Sequence, residues 1–134
     1  MSDWNDQVMA EFRANGGKVE QFGDAPMIIL HTIGAKSGKL REIPLVCLPE
    51  GDRWIVFASK AGAPVNPDWA YNLRANPAIE VEVGTEKFAA AVTEVTGPER
   101  DRLYATQVER MPQFGEYEQK AGDRLIPVFA LSRA

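Results

Sequence analysis

Two apolar runs separated by a short, glycine-containing turn constrain the fold of this chain most strongly. The runs cover Met27–Ile33 and residues 43–48, and Gly34 and Gly38 lie in the turn between them. Each run has the length of one strand, and a connection this short cannot contain a crossover helix. The two strands are therefore expected to pair antiparallel, as a hairpin.

Short connections also separate most of the later apolar runs, which predicts antiparallel pairing along the whole chain. Strands are expected at residues 54–58, 79–83, 88–95 and 127–131, with a hairpin turn at 50–52. Helices are expected at 3–14, capped by Ser2 or Asp3, at Asp68–Ala75 and at 99–111, whereas 112–122 are expected to form a loop. The predicted fold is a mostly β, six-stranded antiparallel barrel with peripheral helices, and 134 residues suffice for one such domain.

The first hairpin turn concentrates positive charge in a chain whose formal net charge is −4. It contains Lys36, Lys39 and Arg41, together with Ser37 and Gly38. Glycine lets the backbone approach a ligand closely, consecutive N–H groups can bind an anion, and Lys and Arg add charge-assisted hydrogen bonds. The pattern predicts a binding site for a phosphorylated, acidic cofactor; the alternative is a solvated hairpin loop.

Composition limits the classes of partner and the location. A negative net charge argues against general nucleic-acid binding, which depends on an excess of Lys and Arg. Cys47 is the only cysteine, so no internal disulfide can form and a reducing, cytoplasmic location is expected. No apolar run reaches the roughly 18 residues of a membrane span, so any membrane contact is expected to be weak and peripheral.

A second group of polar residues follows the third predicted strand. Ser59 and Lys60 stand at the strand end, and Trp69 and Asn72 lie three residues apart on the next predicted helix. These side chains are candidates for a ligand site. The alternative is a proline-stiffened loop in which Trp69 is a core anchor.

Apolar and aromatic residues also cluster around the predicted 112–122 loop. They are Met111, Phe114 and Tyr117. Aromatic side chains in loops often line ligand pockets. The alternative is a loop that is simply pinned to the core.

Residues for hydrolytic or metal chemistry are scarce in the sequence. His31 is the only histidine and Cys47 is the only cysteine. A Cys–His nucleophile also needs an orienting group and an oxyanion hole, and nothing in the sequence indicates either. One histidine and one cysteine do not supply a zinc site, so no metal is expected. An enzyme of this composition is expected to rely on an organic cofactor for the difficult chemical step.

Two separated motifs of the sequence carry a family resemblance. The first is Thr-Ile-Gly-Ala-Lys-Ser-Gly at 32–38, with Arg41 and the pair Pro44-Leu45 after it. The second is Ala-Ser-Lys-Ala-Gly-Ala-Pro at 58–64, followed by Asn-Pro-Asp-Trp at 66–69, Asn-Leu at 72–73 and Ala-Asn-Pro at 75–77. Together they resemble the deazaflavin-dependent nitroreductase and quinone reductase family of actinobacteria. The resemblance implies a single split β-barrel over 1–134, a fold related to flavin-binding pyridoxamine-phosphate oxidases, and a reductase that uses reduced coenzyme F-420.

The resemblance also implies roles for these residues. The phosphate and acidic glutamyl tail of the cofactor would be held by Lys36, Ser37, Gly38 and Arg41. The deazaflavin ring and its side chain would contact Pro44, Leu45, Ala58, Ser59, Lys60 and Asn72. We expect Ser59 to hydrogen-bond the acceptor or ring oxygen as charge develops, and Tyr117 to supply a proton.

The substrate side of the site would be formed by residues from several segments. They are Trp4, Phe12, Val46, Met111, Phe114 and Tyr117, with helix 3–15 as a candidate lid. Family members that reduce nitro prodrugs are richer in tyrosine in the late loop and often have tyrosine at position 46. The expected acceptor is therefore a quinone such as menaquinone, or an enone or lactone of the coumarin or aflatoxin type, rather than a nitroimidazole. An FMN-dependent split-barrel reductase or oxidase and a non-catalytic deazaflavin carrier are the alternatives, and the sequence leaves monomer and dimer open.

Overall fold

In the computed structural model, which describes residues 3–134 and the side chains from Trp4 onward, seven strands form one sheet. The strands are β1 (Met27–Ile33), β2 (Leu40–Val46), β3 (Leu48–Glu50), β4 (Arg53–Phe57), β5 (Ala78–Val83), β6 (Glu86–Val95) and β7 (Val128–Arg133). Their order across the sheet is β2-β1-β5-β6-β7-β4-β3, and each of these pairings is antiparallel. The predicted antiparallel architecture is confirmed.

Helices lie around this sheet. They are α1 (Asp3–Ala14), α2 (Asp68–Ala75), α3 (Gly97–Arg110) and α4 (Gln113–Ala121), with short 3-10 turns at Glu20–Phe22 and Lys60–Gly62. The predicted bounds of α2 are confirmed, and the expected cap at Ser2 or Asp3 lies outside the described residues. Within residues 3–134, each helix is too short or too polar to cross a bilayer.

The predicted count of six strands is wrong because the chain bends at Cys47. The predicted strand at 43–48 ends at Val46, and Cys47 donates its N–H to the carbonyl oxygen of Pro26 at 2.9 Å. Leu48 pairs instead with Ile55 of β4. Strands β2 and β3 are thus consecutive in sequence but lie at opposite edges of the sheet, which requires the sheet to curl until its edges meet as a half-barrel.

The predicted loop at 112–122 is also wrong, because residues 113–121 form α4. Phe114, Tyr117 and Ala121 recur at helical spacing and turn one face of this helix toward the core. The Tyr104 hydroxyl donates to the carbonyl oxygen of Phe114 at 2.7 Å, which gives this buried hydroxyl a partner and joins α3 to the start of α4. Pro112 and the aromatic residues are typical of a loop that lines a pocket, so the helical spacing of this segment was not recognised in the sequence.

Alternate residues of β1 face two different parts of the core. Ile28 and Leu30 point into the curled sheet, where α2 contributes Leu73. Met27 and Ile29 point outward against α1. A third apolar cluster lies under α3 and α4 and includes Phe57, Leu103, Phe114, Ile126 and Val128. Helices therefore cover the outer faces of the barrel, while α2 fills its interior end.

An ion-pair network ties α1 to the sheet. Arg13 contacts Glu82 at 2.6 Å and Glu42 at 3.1 Å, and His31 contacts the same two carboxylates at 2.7 and 3.3 Å. His31 is therefore a strand residue whose two ring nitrogens both contact a carboxylate. The hydrogen bond from Arg13, together with that from His31, outweighs burial and lowers the pKa of Glu82 to about 2.

Arg13→Gln is expected to lower the free energy of unfolding at pH 7 by about 1 kcal/mol, because the pair is partly exposed and screened by solvent. Since folding lowers the pKa of Glu82 from 4.5 to about 2, its stabilising contribution is complete above about pH 4.5 and is lost as the pH falls toward 2. Urea unfolding at pH 7 and at pH 2.5 measures this, and the deficit should shrink at the lower pH.

The matched control is Lys87→Gln, since Lys87 and Glu80 form an exposed pair at 3.9 Å. It should change the free energy of unfolding by less than about 0.5 kcal/mol. Equal losses in the two variants would contradict the role of Arg13 in holding α1.

Candidate active site

A cavity of about 900 Å³ lies at the turn of the β1–β2 hairpin. Three segments line it: the hairpin itself, the turn after β4 and helix α2. Five residues predicted for the cofactor site lie in its wall, namely Lys36, Ser37, Arg41, Lys60 and Asn72. Among the other wall residues, six belong to the two sequence motifs, namely Thr32, Gly34, Ala35, Pro67, Asp68 and Trp69. Glu42, Ile43 and Tyr71 are the wall residues that the sequence did not single out. The structure thus brings the two sequence motifs together at one cavity.

Hydrogen bonds within the turn fix its shape. Gly34 donates its N–H to the carbonyl of Lys39 at 2.8 Å, and Gly38 donates to the carbonyl of Gly34 at 2.9 Å. The hydroxyl of Ser37 accepts from the N–H of Lys39 at 3.1 Å. A Cβ at position 34 would collide with that hydroxyl, so only glycine allows this close approach.

Asn72 joins α2 to the hairpin. Its side-chain oxygen accepts from the N–H of Ala35 at 2.9 Å, and its side-chain nitrogen donates to the hydroxyl of Thr32 at 3.4 Å. That hydroxyl in turn donates to the carbonyl of Arg41 at 3.0 Å. Asn72 is only 8% exposed, so the amide holds the two sides of the cavity at a fixed separation.

The cations of the hairpin turn, together with Lys60, lack the carboxylate partners that many other cations of the described chain have. Most arginines bond to carboxylates, as Arg13, Arg53, Arg74, Arg102 and Arg133 do. Across residues 4–134, by contrast, Lys36, Lys39, Arg41 and Lys60 form no ion pair with a carboxylate. The cavity therefore keeps a positive potential suited to an anionic ligand.

The backbone at Lys60 and Ala61 adopts a conformation that is uncommon for residues other than glycine. Their φ angles are 47° and 52°. Non-glycine residues in this left-handed region carry strain of order 1 kcal/mol or more, which persists only where the surroundings impose it, often at functional sites. Here the bend directs Lys60 to the wall of the cavity.

Comparison with known proteins gives the family. Residues 4–133 match the family described as F420H(2)-dependent quinone reductase. This chain belongs to that family. The cofactor of the chain is accordingly coenzyme F-420, and the protein is an F420H(2)-dependent reductase.

Relatives of known name support this membership over most of the chain. An F420H(2)-dependent quinone reductase of Mycobacterium tuberculosis is 33% identical over 128 residues, which cover 92% of this chain and 86% of that protein. A solved F420-H2 dependent reductase, FDR-A, is 39% identical with a TM-score of 0.72 and covers 80% of this chain and 94% of its own. A solved chain described as a domain-swapped dimer is 34% identical with a TM-score of 0.74 and covers 97% and 98%.

The donor set of the cavity fits this cofactor, which carries a phosphate and an acidic tail. Unpaired ammonium and guanidinium groups, the Ser37 hydroxyl and the turn backbone all face one space. Two acids, Glu42 and Asp68, also lie in the wall. Glu42 is already bound by Arg13 and His31, so its negative charge offsets the cations of the cavity less than that of Asp68. Asp68 is exposed at the start of α2.

Three residues predicted to contact the ring lie in, or directly after, the strands that flank the cavity. Pro44 is buried opposite Ile29, while Leu45 packs on the other face of the sheet against the interior cluster. Ala58 is fully buried in that same cluster. For the described residues, the side chain of Ile43 lines the cavity and these three do not.

The residues predicted for the substrate side are distributed over separate places. Phe12 is buried on the inner face of α1, and Val46 packs against the same apolar cluster. Trp4 is 47% exposed and its ring contacts that of Phe22. Met111 lines a second cavity of about 390 Å³ beside Cys47.

Phe114 and Tyr117 lie on α4. Their ring centroids are 5.2 Å apart, and Phe114 is buried against Phe57. The backbone of Tyr117 abuts Gly62, where a Cβ would come within 2.8 Å of the Tyr117 carbonyl oxygen. Helix α4 therefore supports the turn that carries Lys60, and Tyr117 is placed next to the second motif.

The structure gives no support to a Cys–His nucleophile. His31 pairs with Glu42 in the β1–β2 register, whereas Cys47 lies beyond Met27, about five residues or roughly 16 Å along the strand. Burial raises the pKa of Cys47 to about 12, which keeps the thiol protonated. The group His31, Glu42 and Glu82 has ligand atoms within 4.8 Å of one another, but Arg13 already occupies both carboxylates.

Asn72→Asp is expected to weaken binding of reduced coenzyme F-420 roughly tenfold at low ionic strength, because it adds a negative charge to the cavity wall. The carboxylate can still accept from Ala35 at the shorter of the two bonds, although it can no longer make the 3.4 Å bond to Thr32, so the hairpin should largely keep its geometry. Calorimetric titration at two salt concentrations measures the effect, which should decrease as salt rises.

Asn76→Asp is the matched control, because Asn76 follows the same helix and donates to the carbonyl of Ile33 at 3.4 Å without lining the cavity. We expect a change in cofactor affinity of less than about twofold. A similar loss of affinity in both variants would show that the charge acts from a distance and not inside the cavity.

Proposed function

We propose that this protein transfers a hydride from reduced coenzyme F-420 to a quinone or a similarly flat, conjugated acceptor. The observation that carries the proposal is the cavity of about 900 Å³ whose cations have no carboxylate partners within the described chain. When bound, reduced coenzyme F-420 supplies the hydride. The task of the protein is to hold donor and acceptor near contact distance.

In this proposal, the hairpin binds the anionic part of the cofactor. Lys36 and Arg41 supply charge-assisted hydrogen bonds to phosphate and carboxylate groups, and Ser37 and Gly38 supply a hydroxyl and a backbone N–H. Asn72 keeps the hairpin in place from α2, and Lys60 faces the same space from the opposite segment.

Ser59 and Tyr117 remain the proposed catalytic pair. Ser59 immediately precedes the strained bend, and Tyr117 lies on the helix that abuts Gly62, so the two segments are in contact. The Ser59 hydroxyl is proposed to hydrogen-bond the acceptor oxygen as charge develops, and Tyr117 or solvent to supply the proton.

The acceptor is proposed to stack on the deazaflavin ring, within reach of Ser59 and Tyr117, because hydride transfer requires donor and acceptor near contact distance. The second cavity does not meet this requirement, since it lies by Cys47 at the far end of β2 from Arg41, six residue steps or roughly 20 Å away. Quinones of the menaquinone type and enones or lactones of the coumarin or aflatoxin type are the proposed acceptors rather than a nitroimidazole, because valine stands at position 46, where family members that reduce nitro prodrugs often have tyrosine.

Lys36→Ala and Arg41→Ala are each expected to weaken binding of reduced coenzyme F-420 by roughly ten- to a hundredfold, the loss typical of a hydrogen bond to a charged group. Neither side chain has a partner in the described chain, so the free energy of unfolding should change by less than about 0.5 kcal/mol. Lys87→Ala is the control for removal of one surface cation. Wild-type affinity in both hairpin variants would refute the proposed binding site.

Ser59→Ala is expected to lower turnover at least about tenfold while the cofactor affinity stays within about twofold, because the hydroxyl acts as charge develops. Ser132→Ala, which removes an exposed hydroxyl from β7, is the control. Oxidation of the reduced cofactor should be followed with a quinone, a coumarin-type lactone and a nitroimidazole in parallel. Unchanged turnover with all acceptors would exclude the role of Ser59, and preference for the nitroimidazole would overturn the acceptor class.

A further inference from the structure

We propose that Arg124 is a positioning residue, whose guanidinium group holds the bend at Ser59, Lys60 and Ala61 in the shape that the cofactor site requires. This inference rests on the proposed function, since it concerns the same site. Arg124 lies outside both sequence motifs and does not line either cavity in the described structure. Its position in the chain, just after α4, gave no sign of a role in the site.

The guanidinium group makes four hydrogen bonds to one loop. Nε donates to the carbonyl of Ala63 at 2.9 Å, and Nη2 donates to the carbonyl of Ser59 at 2.7 Å. Nη1 donates to the carbonyl of Ala58 at 3.0 Å and to the side-chain oxygen of Asn66 at 2.6 Å. The acceptors lie on both sides of the bend, so a single rigid group brackets it.

The bend needs such a restraint because its conformation is unfavourable. Lys60 and Ala61 both have left-handed φ angles, and an L residue in this region costs of order 1 kcal/mol or more. Behind them, Gly62 is buried and fits tightly against the backbone of Tyr117. If the carbonyls on either side were released, the backbone would relax toward commoner angles and Lys60 would leave the cavity wall.

Arginine suits this position better than lysine because of the geometry of its donors. The planar fork presents donors in fixed directions, and it can reach several separate oxygens at once. Its partners are neutral oxygens, and across residues 4–134 it forms no ion pair with a carboxylate. Burial accordingly lowers the pKa of Arg124 below its usual range. The loop thus gains a fixed positive charge in addition to its shape.

Arg124→Lys tests shape separately from charge, because it keeps the charge but removes the fork. We expect the dissociation constant for reduced coenzyme F-420 to rise roughly tenfold. We also expect faster hydrogen exchange at the amides of Gly62 and Ala63, which donate to Ser59 and Lys60 at 2.9 and 3.0 Å. Arg102→Lys, at an exposed arginine bound to Glu50, is the control and should change neither quantity.

A second substitution separates positioning from general stability. Ala61→Asn favours the left-handed conformation, which asparagine tolerates better than alanine, and Ala61 is exposed, so the larger side chain has room. In the Arg124→Lys background, it should recover at least about half of the lost binding on a logarithmic scale. A role limited to overall stability would not be rescued in this way, because affinity is measured on the folded fraction.

Each result of these binding and exchange measurements either supports or overturns the role of Arg124. Wild-type affinity and exchange in Arg124→Lys would overturn the role of Arg124 and leave the proposed function intact. Failure of the wild-type protein to bind reduced coenzyme F-420 would overturn both. If Arg124→Lys does not fold, Asn66→Ala decides instead, because it removes one of the four bonds: a rise of about threefold in the dissociation constant supports the role, and an unchanged constant overturns it.

Discussion

The bend at Cys47 is the constraint on which the rest of the structure depends. One residue separates β2 from β3, yet these strands form the two edges of a seven-stranded sheet. A flat sheet of this size would keep its edges far apart, so the sheet must curl and its alternate residues must enclose an interior. Helix α2 fills one end of that interior with Trp69 and Leu73, and its polar Asn72 is left facing the hairpin turn. The position of the cavity therefore follows from the closure of the sheet.

The charge of the site follows from the same arrangement. Most arginines of the protein form ion pairs with glutamates on other elements. Arg13, for example, joins α1 to the sheet, and Arg74 of α2 binds Glu94 of β6. The hairpin turn projects past the last paired residues of β1 and β2, so no carboxylate from a neighbouring strand reaches Lys36 or Lys39 in the described chain. An acidic protein thereby keeps an uncompensated cationic surface at this turn, where we propose that the anionic part of the cofactor binds.

Local patterns in the sequence were sufficient for most elements and for the group of cations that the structure gathers at one cavity. The first hairpin, the antiparallel pairing and α2 follow from apolar runs, turn residues and capping positions. The cations of the turn also stood out, because charge near glycine is visible without a structure. The family resemblance then matched these same residues, and the comparison over residues 4–133 confirmed it.

Features that depend on distant contacts could not be predicted. Only the closed sheet shows that Leu48 leaves β2 to pair with β4, and only the packed core shows that Phe114 begins a helix. Arg124 lies 58 residues or more from each of the four oxygens that it binds, so no local pattern marks it. The residues assigned to the acceptor were gathered by analogy from several segments, and the structure distributes them over more than one surface.

The burial of Cys47 has a consequence for an enzyme that handles electrophiles. Quinones and enones are alkylating agents that add to thiolates, and a reactive sulfhydryl beside such a compound would be consumed by it. The only thiol of this protein is 2% exposed, and burial raises its pKa to about 12, so it stays protonated at pH 7. Folding thus protects the protein from arylation by the compounds that it is proposed to reduce.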